Sequence, residues 1–302
     1  MLCCRLDDLV GAVHKLDEAS RPDVIVAEPV GSCTDLMATV ILPLERVYHL
    51  PFALSPLSVV VDARLALTAL GGKRQARDFH RDVGYVFRKQ LEEAEWLVVN
   101  KIDLMSNEDL ADLDRRLAKE YPDKRVFKVS ARNSEGVEPW FDALLASNAQ
   151  PQALMDVDYE RYAVGEAMLG WVNSEAVCHA KEIDHSWGNW LEALGRKIGD
   201  ELDSSGAVTG HFKMSIEAGG ARWRFHKVMS GEDPVVIKEL GSLRGEVRFL
   251  VNLRAEGTAE ILEAMVDRAL SAQSEVRVEF KDRAAFQPGE PRPTHRVTEL
   301  VG

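Results

Sequence analysis

Long apolar runs are missing from this chain of 302 residues. No stretch approaches the roughly 18 uninterrupted apolar residues that a membrane-spanning helix needs. The N-terminal stretch MLCCRLDDLVGAVHKLDE carries acids where a signal peptide has its apolar centre, so a cytoplasmic protein with no membrane partner is expected. Cysteine is scarce: Cys3, Cys4, Cys33 and Cys178 are too few for a disulfide scaffold. In a reducing compartment the adjacent pair Cys3-Cys4 reads as reactive thiols, as two small buried side chains or as a fragment of a metal site. Positive charge is also in deficit, with 37 Lys and Arg against 49 Asp and Glu and a net charge of −12. That balance repels phosphate backbones, and nucleic acid is not an expected partner. What is present is a globular composition, 46% hydrophobic and 28% charged, with a mean hydropathy of −0.17. The length favours two domains.

The first half alternates short apolar runs with amphipathic stretches. Strands are expected at 22–28, 57–62, 96–100 and 125–130, and helices at 5–19, 64–70, 81–93 and 107–120. The last helix opens with Ser106 as N-cap and Asp109 three residues on, close to a capping box. Strands and helices in this alternation predict a parallel, doubly wound sheet, whose ligands sit at the C-terminal strand ends. All four runs end in a polar residue there: Glu28, Asp62, Asn100 and Ser130. After a linker at 148–160 the pattern changes to strict alternation, as in His211-Phe212-Lys213-Met214-Ser215-Ile216. This predicts antiparallel strands with one wet face at about 166–178, 207–217, 222–229 and 246–253, and helices at about 187–202 and 258–272. Three prolines and many charges mark 281–302 as a loose tail. Cys178-His179 with His185 could form a metal cluster, but adjacent residues on a strand face opposite ways, and core packing is the simpler reading.

The apolar run Trp96–Val99 leads into Asn100-Lys101-Ile102-Asp103. A carboxylate at Asp103 can accept two hydrogen bonds from guanine N1–H and its exocyclic amine, which adenine cannot offer. The Lys101 stem can lie along the base, and the Asn100 amide can tie neighbouring loops. The next run ends in Ser130-Ala131, where a backbone N–H can reach the guanine carbonyl. Upstream, Glu28-Pro29-Val30-Gly31 also follows an apolar run. The Gly31 N–H can approach a terminal phosphate there, and the Glu28 carboxylate can orient water or the shell of a magnesium ion.

With these motifs in this order, about residues 2–147 resemble the CobW-type branch of the CobW/HypB/UreG P-loop GTPases. The likeness extends to Cys3-Cys4-Arg5-Leu6-Asp7-Asp8-Leu9, similar to the family's Cys-x-Cys-Cys segment and the helix after it. It also covers Glu28 to Gly31 as a Glu-x-x-Gly, Val60–Ala63 as Val-Val-Asp-Ala, and Gln90–Leu104. The resemblance implies GTP and Mg2+ binding, with GTP hydrolysis coupled to delivery of zinc or cobalt to a client metalloprotein or a cofactor pathway such as cobalamin biosynthesis. It assigns the guanine to Asn100, Lys101, Asp103, Ser130 and Ala131, phosphate sensing and hydrolysis to Glu28 and Gly31, and the metal to Cys3 and Cys4. A homo-oligomer is compatible with it.

One family element is absent from the sequence. No G-x-x-x-x-G-K-[ST] loop occurs, and the nearest Gly-Lys, in Gly71-Gly72-Lys73-Arg74, lacks the spacing and the hydroxyl. Met1 stands where the family's first cysteine would be. Two or three charge-assisted hydrogen bonds to a base contribute ~1.5–3 kcal/mol each, against ~4–15 kcal/mol for immobilising a ligand, so weak nucleotide binding and poor hydrolysis are expected. A start placed downstream of the family's first strand and a degenerate relative are the two explanations, and the apolar edge left on a sheet without that strand favours the first. The expected fold is thus α/β: a parallel P-loop-GTPase-like sheet lacking its first strand over 1–147, then a smaller α+β domain over 161–280. The alternative from another functional class is a catalytically inactive binding or assembly module for a client protein.

Overall fold

The computed structural model describes residues 3–71, 81–149, 154–182, 185–227, 233–238 and 243–300. The Gly-Lys pair at 72–73, residues 150–153 of the expected linker and positions 228–229 of an expected strand lie outside them. The described chain forms two compact units, one from residues up to 163 together with 290–300, the other from 164–289. No helix among the described residues is long and apolar enough to cross a membrane.

The first unit opens with a short 3₁₀ turn and α1 (Leu6–Ser20), which buries Leu6, Val10 and Val13 at helical spacing. A π-helical turn at Met37–Ile41 leads into α2 (Leu42–Arg46). There follow β1 (Ser58–Asp62), α3 (Ala63–Ala69), α4 (Arg81–Glu93), β2 (Trp96–Asn100), α5 (Asn107–Glu120), β3 (Arg125–Val129), α6 (Val137–Leu145) and the start of α7 (Tyr159–Ala167), whose residues from 164 on belong to the second unit. The three strands are parallel in the order β1-β2-β3. The central strand β2 is apolar and buried from Trp96 to Val99, as a strand covered on both faces must be. Leu97 and Val99 pack with Val61, Leu67, Leu91, Leu113 and Leu117 into one core. Ser106 caps α5 as expected: its Oγ accepts the Asp109 N–H at 3.1 Å.

The expected strand at 22–28 is not there. The segment is irregular and exposed, with Val26 at 87%. The physical reason is the ladder: no described strand lies beside it, and an apolar run without a partner has no hydrogen bonds to hold it extended. Among the described residues no strand pairs with the outer edge of β1 either, and Val60 is half exposed.

The second unit contains β4 (Leu169–Ala180), α8 (Trp187–Ser205), β5 (Thr209–Ala218), β6 (Ala221–Lys227), β7 (Val235–Lys238), β8 (Val247–Glu256), α9 (Ala259–Ser271) and β9 (Val276–Phe286). Its sheet has the order β7-β6-β5-β8-β4-β9, every pair antiparallel. The buried faces of α8 and α9 join Phe212, Phe225 and Phe249 of the sheet in one core. Gly195 of α8 is required by that packing, because a Cβ there would stand 2.5 Å from the Phe225 ring. The fold class is therefore the expected one, a parallel α/β sheet and a separate antiparallel α+β layer. The expected loose tail needs correction. Positions 281–286 complete β9, the partner of β4, and residues 292–300 are hydrogen-bonded to the first unit.

Candidate functional site

The register of the parallel sheet brings Asp62, Asn100 and Val129 abreast at its C-terminal end. Asn100 is the tie between two loops there. Its Oδ1 accepts the Lys101 N–H at 2.7 Å and the Ala131 N–H at 3.0 Å. The first bond goes with a left-handed backbone at Lys101, φ 66° and ψ 35°, a conformation that a non-glycine residue adopts only when its surroundings impose it. Lys101 then reaches back across the strand ends, and its Nζ donates to Asp62 Oδ2 at 2.7 Å. The other oxygen of Asp62 caps α3, accepting N–H bonds from Arg64 and Leu65 at 2.9 and 3.4 Å. Burial by itself raises the Asp62 carboxyl, but the Lys101 hydrogen bond and the Lys101 and Arg64 charges outweigh it and hold the group below its ordinary range.

Asp103 sits on the 3₁₀ turn Ile102–Leu104 with its carboxylate exposed. Ser130 is fully buried and organises the opposite wall. It exchanges backbone hydrogen bonds with Glu135 at 2.9 and 3.1 Å, and its Oγ accepts the Asn133 N–H at 3.3 Å. The turn closes at Gly136, where φ is 70° and a Cβ would meet the Lys128 carbonyl oxygen at 2.2 Å. The Ala131 N–H, expected to serve a guanine carbonyl, is here committed to Asn100. A base would have to draw that N–H from its present acceptor.

Glu28 and Gly31 lie on exposed irregular chain and not at a strand end, for the reason given above. Beyond them the chain is held by α4. Gln90 Nε2 donates to the carbonyls of Gly31 and Cys33 at 2.8 and 2.9 Å, and Glu93 accepts the Met37 N–H at 2.7 Å and the Thr34 hydroxyl at 3.5 Å. Burial pushes the Glu93 carboxyl up to about 7, aided by the nearby Asp35 charge and opposed by the Met37 N–H.

Cys3 and Cys4 have their sulfurs 3.6 Å apart, and Cys33 joins Cys3, Leu6, Leu36 and Val40 in one apolar cluster. Burial, then the charge and hydrogen bond of Cys4 and the charge of Cys33, push the Cys3 thiol up to about 12. The C-terminal residues lie along this cluster. Arg292 N–H donates to Cys4 Sγ at 3.3 Å, and Thr294 N–H to the Cys3 carbonyl at 2.8 Å. Arg46 holds the carbonyls of Glu299 and Leu300 at 2.9 and 2.6 Å. Arg296 pairs at 2.7 Å with Asp35, whose side chain is 1% exposed and also accepts the Tyr159 hydroxyl at 2.7 Å. Thiols suit Zn2+ and Co2+ chemically. As they stand they fall short of a four-donor site, and among the described residues no group of three or more His, Cys, Asp or Glu is set to hold a metal. Cys178 is buried in the second core.

The structure thus gathers Asn100, Lys101, Ser130 and Ala131 into one corner, and Cys3 and Cys4 into one cluster. Two contributors escape a reading of the sequence, Cys33 at the thiols and the C-terminal segment over them, while Asp62, read there as a polar strand end, has no role at the corner in that reading. Asp62 also has a local signal for its cap, an acid between a strand and a helix, which is an N-cap pattern.

Residues 1–128 match the family model of the CobW/HypB/UreG nucleotide-binding domain, so the family read from the motifs is borne out over that stretch. No curated protein matches the chain. Among solved structures, a Zn(II)-bound triple mutant of the YjiA GTPase is similar at 13% identity and a TM-score of 0.28, over 87% of this chain and 75% of that one. The Zn(II)-bound YjiA GTPase from E. coli is similar at 13% identity and a TM-score of 0.24, over 77% of this chain and 66% of that one.

Proposed function

We propose that this chain, whose residues 1–128 match a CobW/HypB/UreG nucleotide-binding domain, is a metallochaperone-type protein that recognises the guanine of GTP at the corner formed by Asn100, Lys101, Asp103, Ser130 and Ala131. The observation that carries the reading is the bridging amide of Asn100, with its two N–H bonds at 2.7 and 3.0 Å. It fixes the loop that bears Asp103 against the loop that bears Ala131, and so holds the Asp103 carboxylate at one side of a planar ligand, while the Ala131 N–H reaches the base only by leaving Asn100. In this reading Glu28 and Gly31 face the terminal phosphate, and Cys3 and Cys4 carry zinc or cobalt as cargo for a client metalloprotein or cofactor pathway. With no G-x-x-x-x-G-K-[ST] in the sequence, the backbone cradle and lysine for the other phosphates are missing from this chain, which is therefore impaired in nucleotide binding and hydrolysis.

Titration with guanosine and adenosine at millimolar concentration, followed by the amide resonances of Lys101 and Ala131, tests the base site. Guanosine is expected to shift both and adenosine neither; equal responses overturn the reading. A second reading is favoured by the irregular, exposed Glu28–Gly31 segment and by the C-terminal residues bonded to Cys3 and Cys4. It is a catalytically inactive module that binds a client without turning over nucleotide. Guanosine recognition with no GTP hydrolysis and no metal uptake would favour it.

A further inference from the structure

We propose that Asp62 is the positioning residue of the guanine corner: it fixes where the Lys101 stem lies and thereby supports the base that Asp103 selects. The inference rests on the base-site reading above. It starts from the two ends of one side chain. At the near end, the Asn100 side chain holds the Lys101 N–H at 2.7 Å and the backbone is left-handed, so the direction in which the stem leaves the chain is set. At the far end, Asp62 Oδ2 takes the ammonium at 2.7 Å. A four-carbon stem anchored at both ends becomes a fixed bar across the strand ends and not a mobile arm. Lys101 keeps 33% of its side chain exposed while that of Asp62 is 8% exposed, so the bar has an open side and a buried foot.

The foot itself cannot swing. Asp62 Oδ1 is committed to the first turn of α3 through Arg64 and Leu65 N–H, and Arg64 Nε lies 3.6 Å from the same oxygen. Asp62 stands directly opposite Asn100 in the β1–β2 register, so the sheet itself sets the span that Lys101 must bridge. One carboxylate therefore does two things, capping a helix and aiming a lysine, and the two can be separated by mutation. Asp62→Asn keeps an oxygen for the cap but turns an amide donor or a neutral oxygen toward the ammonium. Asp62→Ser is an equally good N-cap that is too short to reach Lys101.

Nucleoside titration of the full chain, monitored by NMR, tests this. Both variants should lose guanosine affinity by about ten-fold, at the low end of what a charge-assisted hydrogen bond supports, while the adenosine response stays at the wild-type level. Lys101→Met should show the same loss, and Asp62→Asn should add nothing in that background; a residue acting only through its helix cap would give additive losses. Without nucleoside, the Lys101 ammonium resonance should be visible in wild type and lost in both variants. If wild type prefers guanosine and Asp62→Asn is indifferent, or if the losses add, this inference alone is overturned. A wild type with the ordered ammonium and no guanosine preference overturns the base-site reading, and this inference with it.

Discussion

Glu93 makes the stability of the first unit depend on pH in a window where most carboxylates no longer titrate. Its ordinary value of 4.5 is raised to about 7 by burial and by the neighbouring Asp35 charge, against the Met37 N–H that favours the charged form. Below about pH 4.5 the group carries its proton in both the folded and the unfolded chain, and its share of stability is fully present. As pH rises, the unfolded chain ionises freely while the folded chain holds the proton or buries a charge, so that share is lost between pH 4.5 and about 7. At about 1.4 kcal/mol per pH unit the ceiling is about 3 kcal/mol. Glu93→Gln removes the titration and keeps an oxygen for the Met37 N–H. The variant is expected to match wild type at pH 4.5 and to exceed it by about 1–3 kcal/mol at pH 8. Urea unfolding at pH 4.5, 6 and 8, with calorimetry to separate the two units, reads the difference. A constant offset between variant and wild type across that range would refute the argument, because it would mean that Glu93 titrates in the folded protein as it does in the unfolded chain.

Asn100→Ala removes the acceptor of two backbone N–H groups and should cost about 1–3 kcal/mol; a loss below about 0.5 kcal/mol in urea unfolding would show that water replaces the amide at no cost. Gly136→Ala forces a Cβ to within 2.2 Å of the Lys128 carbonyl at a φ of 70°, and should destabilise the first unit by more than about 2 kcal/mol; an unchanged melting temperature would contradict the tight turn at 130–136. Arg296→Ala leaves the Asp35 carboxylate buried with only the Tyr159 hydroxyl, for a loss of about 1–3 kcal/mol. The same variant should expose Cys4 to iodoacetamide faster than wild type at neutral pH, while Cys3, with its thiol up at about 12, stays slow; mass spectrometry of the N-terminal peptide distinguishes the two sulfurs.

What a reader of the sequence can see here is what local chemistry decides. The helices at 81–93 and 107–120 and the strand at 96–100 stand where periodicity and the Ser106 cap put them, because each is specified by residues within a turn or two of its ends. The strand expected at 22–28 fails for the opposite reason. Its composition is that of a buried strand, but extended structure needs a neighbour, and whether a neighbour exists is not written in the segment itself. The thiol cluster shows the same limit over longer spans. Arg292 meets Cys4 across 288 positions, and Arg296 meets Asp35 across 261, so residues that look like a solvated, proline-broken tail supply the hydrogen bonds and the counter-charge of the N-terminal segment. Gln90 and Glu93 do this at intermediate range, gripping the chain from Gly31 to Met37 from 56 to 59 positions away. That grip has a consequence for the proposed coupling. Gly31, which the proposed reading assigns to the phosphate, and Cys33, a member of the thiol cluster, are two residues apart and have their carbonyls on one Gln90 amide, so a movement that frees one must break or drag the bond that holds the other.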